Sequence, residues 1–196
     1  MDRRCLVKPV ISILMGVLFL NSNCKLYYQS FPNNDPKNKS SLSELSFILP
    51  DGKYLPKTFW NEGKSVLYFG FSHCPDMCPL ALTNFSKTAL ILGPKAKDFR
   101  FIFVTLDPER DDPLLLSKYV NQFQGGKLIA LSPSSESLGK VEGLFGITNR
   151  KVATGNTYSI DHSNFIFVLD HKLQQIAVYP GGTSPVTLAN SLRVLN

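Results

Sequence analysis

Residues 65–82, SVLYFGFSHCPDMCPLAL, decide how this chain folds. Residues 65–71 form an unbroken apolar, β-rich run and predict a buried strand. Cys74 and Cys78 stand four residues apart at its exit, among prolines. Residues 80–92 then carry helical spacing and stop at Gly93-Pro94. Structural cysteines seldom crowd together at a strand exit, so this pair marks a candidate site for copper or for thiol redox chemistry.

The alternation continues outward from this unit. Residues 99–106 read as a second buried strand, and 113–123 as a helix opened by Asp111-Asp112, which can cap its free amides. Residues 127–131 predict a short strand and 134–145 a helix. Residues 165–170 and 175–179 predict a hairpin across His171-Lys172. The last helix spans about 185–195, capped by Thr183 or Ser184. Upstream, 47–49 and 53–55 flank an Asp51-Gly52 turn and predict a hairpin at the edge of the fold. The fold class expected is α/β, thioredoxin-like: a central mixed sheet flanked by helices, with an N-terminal β-hairpin. Function in such sheets gathers at the C-terminal strand ends, here residues 71–74 and 106–107.

Pro79 lacks the N–H that would bond back to Pro75, so the cysteine segment reads as an irregular turn with the regular helix starting near Pro79. Cys78 then lies near the free amides of that helix, where thiolates are favoured. A later loop, YSIDHSNFIFVLD, offers His162 to the same edge. Two thiolates and one imidazole suit Cu(I) in a trigonal site and also hold Cu(II), whereas a structural zinc site wants a fourth ligand that the sequence does not supply. The same dithiol could instead reduce another protein's disulfide. Thioredoxin-type reductases carry a cis-proline opposite the cysteines; this chain has no proline between Gly155 and Asp170, which favours metal binding. Asp107 ends a strand at this edge, as a carboxylate supporting the thiolates or His162, or as a cap of the DPERDD turn. His73 is expected to point away from Cys74, His171 to sit in a solvated turn, and Met77 to fill a gap in a loop.

Of 196 residues, 43% are hydrophobic and 18% charged, an ordinary globular balance. The formal charge is +6, with basic residues scattered rather than striped among aromatics, which argues against nucleic-acid binding. Residues 1–23 have a basic start and an apolar run over 10–20, the pattern of a signal peptide or a short anchor. Cys24 follows, a position where lipoproteins are acylated, although Asn21, Ser22 and Asn23 are not the usual flanking residues. Either way the folded part is expected outside the cytoplasm. Residues 24–44 read as a polar tether, and 45–196 as the copper-binding domain.

Three segments together, FGFSHCPDMCP, VTLDPERDDP and YSIDHSNFIFVLD followed by YPGGTSPVTLANSLRVL, resemble the Sco/SenC family of copper-binding assembly factors for cytochrome c oxidase. The resemblance runs over roughly 45–195. It implies a thioredoxin-like domain holding one copper, with ligands at Cys74, Cys78 and His162 and the aspartate near the site at Asp107. It also implies a periplasmic, membrane-associated chaperone, a binding protein more than an enzyme. Its expected partner is oxidase subunit II or another copper protein, with other copper chaperones or a thiol reductant as further partners. The task would be forming that subunit's dinuclear copper centre, by delivering copper or by reducing its cysteines. The alternative is an extracytoplasmic thiol–disulfide oxidoreductase without an obligatory metal. A thiol peroxidase fits poorly, because Gly70–His73 lack the Pro- and Thr-containing motif expected before a peroxidatic cysteine.

Overall fold

The structure is a computed structural model and describes residues 39–195; the signal-peptide, anchor and Cys24 expectations fall outside that range. Its central element is β2 (Lys64–Gly70), paired in parallel with β3 (Phe99–Thr105), which in turn pairs in parallel with β4 (Leu128–Pro133). On the other side of β2 lie β7 (Phe165–Leu169) and β8 (Gln175–Pro180), both antiparallel. A two-residue β1 (Phe47–Ile48) closes the far edge against β4, giving the order β1-β4-β3-β2-β7-β8. This is the expected mixed thioredoxin-like sheet.

Period-two alternation on β2 explains the layering. Val66 and Tyr68 face one side, where they meet α2 (Met77–Leu92), α3 (Pro113–Val120) and α5 (Pro185–Val194) through Phe85, Leu116 and Leu188. Leu67 and Phe69 face the other, packing with Trp60 and with Val141 of α4 (Ser135–Phe145). Both faces are therefore covered, which is why β2 and β3 read as apolar runs rather than as alternating ones.

Four details depart from the sequence reading. The N-terminal hairpin is rudimentary: one bridge joins Ile48 to Tyr54, and the main partner of β1 is β4. The tether ends earlier than 44, because α1 (Lys39–Glu44) forms there and Leu42 is buried in the α4-side core. Helix α2 begins at Met77, not near Pro79, so Met77 is its first residue rather than a loop filler. Pro79 sits in the first turn, where amides have no partner within the helix, so its missing N–H costs nothing; the Leu80 amide bonds Asp76 at 3.3 Å. Finally, β5 (Asn149–Thr154) and β6 (Thr157–His162) form a two-stranded sheet of their own, in a stretch the sequence reading left without structure. Gly155, at φ +60°, opens the two-residue turn between them.

Candidate functional site

The first turn of α2 faces the C-terminal end of β2. Cys78 is fully buried there and Cys74 half-buried. Both are free thiols. The close approach depends on Gly70: a Cβ at that position would stand 2.5 Å from Cys78 Sγ. The Cys78 amide points to Cys74 Sγ at 3.4 Å, and the Cys74 amide bonds the Phe71 carbonyl at 3.2 Å.

These surroundings make the two sulfurs unequal. The Cys74 thiol is held far down, to about 3, chiefly by the hydrogen bond it receives from the Cys78 thiol. Burial opposes this, while His162 and the backbone amides of Asp76 and Cys78 add to it. Cys78 is pushed strongly upward, first by that same bond and then by burial. The pair therefore holds one negative charge at neutral pH, on Cys74.

His162 reaches the pair from the end of β6. Its Nε2 is 4.0 Å from Cys78 Sγ, and its Nδ1 is 2.9 Å from the Ser163 carbonyl oxygen. A carbonyl only accepts, so Nδ1 carries a proton, and Nε2 is the ring nitrogen that faces the thiols. The ring stands edge-on to Phe71 and Tyr68, with centroids 6.0 and 6.5 Å away. The buried Tyr68 hydroxyl donates to Asn164 Oδ1 at 3.0 Å. That amide in turn occupies the space a side chain at Gly181 would fill, since a Cβ there would come within 1.7 Å of it.

Asp107 is buried, and both its carboxylate oxygens are taken. Oδ2 accepts from Arg110 Nε at 2.5 Å and Oδ1 from the Tyr158 hydroxyl at 2.8 Å. Its reach toward the site thus runs through the β5–β6 hairpin. The neighbouring Asp111, read from sequence only as a helix cap, is the buried carboxylate beside the cysteine loop. It accepts from Thr105 Oγ1 at 2.6 Å, from the Ser72 amide at 3.0 Å and from the Ser72 hydroxyl. Capping of α3 falls to Asp112 alone, which accepts from the Leu114 and Leu115 amides. His73 is exposed, with Nδ1 3.6 Å from Asp111, and His171 occupies the exposed β7–β8 turn. Arg110, Tyr158 and Tyr68 were not singled out from sequence, and Asp111 only as a cap; the DPERDD run held the signal for Arg110 and Asp111, as polar residues at a C-terminal strand end.

A thioredoxin-like domain whose thiol pair, at the start of a helix, faces an imidazole from a separate hairpin is the class that this fold and site define. The SCO1/SenC family model matches residues 37–195. The chain belongs to the SCO1/SenC family. It is 30% identical over 192 residues to an SCO2-like protein of Rickettsia conorii, covering 94% of this chain and 93% of that one. Among solved structures, Bradyrhizobium japonicum ScoI with copper bound is similar at 27% identity and a TM-score of 0.69, covering 76% of this chain and 95% of that one. Arabidopsis thaliana ScoI with copper bound is similar at 28% identity and a TM-score of 0.68, covering 76% and 92%.

Proposed function

We propose that this protein binds one copper ion through Cys74, Cys78 and His162 and serves formation of the dinuclear copper centre of cytochrome c oxidase subunit II. The observation that carries the reading is Nε2 of His162, turned toward a buried thiol 4.0 Å away while Nδ1 is tied to a carbonyl. A first-row metal bonded to a thiolate at about 2.3 Å and an imidazole at about 2.0 Å, in trigonal array, sets those donors about 3.8 Å apart. The spacing fits. Among the described residues no three such donors are already gathered at ligating distance, so the set would close as the metal binds. The donors are soft, few and lodged against Phe71 and Tyr68, which suits Cu(I) as cargo. Copper-bound ScoI relatives and family membership support the same reading.

The expected setting is extracytoplasmic, on the outer face of a membrane. Among the described residues no helix is long and apolar enough to span one.

The test is an anaerobic copper titration of the reduced protein beside His162→Ala. One copper held tightly by the native chain and at least tenfold more weakly by the variant is the expected result. Equal affinity would remove His162 from the site.

The asymmetry of the thiols favours a second reading, disulfide reduction. Half-exposed Cys74, as thiolate, would attack a partner disulfide, and one partner sulfur would leave as thiolate. Cys78 would then lose its proton and resolve the mixed disulfide, releasing the partner as a dithiol and leaving Cys74–Cys78 oxidised. An exported thiol reductant would restore the pair. Turnover by metal-free His162→Ala, abolished in Cys74→Ser, would select this reading over copper delivery.

A further inference from the structure

The β5–β6 hairpin carries His162 but lies outside the six-stranded sheet, and five of the six β5 residues are exposed. Something other than sheet pairing must hold the imidazole over the thiols. On β6, Tyr158, Ile160 and His162 share one face, by the two-residue period of a strand. Ile160 on that face is buried in the core.

Tyr158 is gripped by Arg110, which comes from the loop after β3. Arg110 Nη1 donates to the Tyr158 carbonyl at 2.8 Å and to Thr157 Oγ1 at 3.3 Å. The guanidinium lies over the Tyr158 ring, 3.6 Å from its centroid, and stands 5.9 Å from the Phe71 ring beside the cysteine loop. Asp107 closes the arrangement by accepting from both Arg110 and Tyr158. Arg110 Nη2 is buried without a hydrogen-bond partner, so this guanidinium is committed to the two rings and to backbone rather than to solvent.

We propose that Asp107, Arg110 and Tyr158 form a latch that sets the position of His162, making Arg110 and Tyr158 positioning residues for the metal site. The inference rests on the copper reading above. Cys78 is carried by α2 and Cys74 by the loop leading into it, so the imidazole is the ligand whose presence depends on the latch. Released, the hairpin leaves copper with the two sulfurs.

The experiment uses the full chain with Arg110→Met, Tyr158→Phe, His162→Ala and the Arg110→Met/His162→Ala double variant. Each is loaded with Cu(II) for nitrogen hyperfine coupling, and with Cu(I) for release to a chelator. Arg110→Met is expected to keep one copper, to release it about 10- to 100-fold faster, and to lose imidazole coupling. Its effect should vanish when His162 is already alanine. Tyr158→Phe, which removes a single hydroxyl, should move both readouts the same way by a smaller factor.

Native release and coupling in Arg110→Met or in Tyr158→Phe would overturn the latch, as would additive losses in the double variant. If the native chain holds no copper, the copper reading itself fails, and amide exchange in metal-free protein decides the latch separately. Exchange at residues 160–162 must then be faster in Tyr158→Phe and in Arg110→Met than in the native chain; equal exchange overturns it.

Discussion

At the scale of single residues, the site is governed by two sulfurs that share one proton. Cys74 is drawn down by the Cys78 thiol and the amides of the α2 first turn, while Cys78, buried against Gly70, keeps its proton. In the proposed site copper would need both as thiolates, so binding would expel the Cys78 proton. Cys74 has already lost its own above about pH 3. At pH 7 the protein should therefore release about one proton per copper, where an unperturbed pair would release nearly two. Affinity accordingly falls as pH is lowered. Calorimetry in buffers of different ionisation enthalpy measures the count; a value near two would mean the thiols are not coupled as described.

At the scale of elements, adjacent aspartates have separate tasks. Asp112 caps α3 by accepting from two amides, whereas Asp111 ties the end of β3 to Ser72, two residues before Cys74. Asp112→Ala should cost about 1 kcal/mol and leave copper binding unchanged. Asp111→Ala orphans the Ser72 amide and the Thr105 hydroxyl and should cost about 3 kcal/mol while weakening copper binding. Urea unfolding together with a copper titration checks both; equal costs would contradict this division.

The same scale shows where the sequence was readable. The runs that became β2, β3 and the body of α2 were legible because burial on one or both faces imposes a pattern on every residue. The start of α2 was not, since Pro79 looks prohibitive until its place in the unbonded first turn is known. The β5–β6 hairpin escaped because β5 is exposed on both sides and shows no apolar alternation. Its Gly155-Asn156 turn was the one local clue.

At the scale of the whole molecule, the three proposed copper donors come from two segments joined only by the fold: Cys78 and His162 are 84 residues apart in sequence. A ligand held across such a span binds the folded chain and not the unfolded one. Copper at about 100 times its dissociation constant should add about 2.7 kcal/mol of stability, raising Tm by about 5–10 °C. Differential scanning calorimetry of reduced protein, with free Cu(I) buffered, measures it. His162→Ala should lose about half of the shift or more at the same free copper; an undiminished shift would place the third donor elsewhere.

Two layers of helix over a mixed sheet follow from local pattern alone, because apolar periodicity and turn residues act within a few positions of each other. So does the thiol pair at the strand exit, since its spacing lies within one helical turn. Which sulfur keeps the proton, which face of His162 meets it, and how Arg110 and Tyr158 hold the hairpin are decided only in the tertiary structure. These depend on burial and on contacts between segments from 39 to 96 residues apart, and no local pattern records distances across such loops.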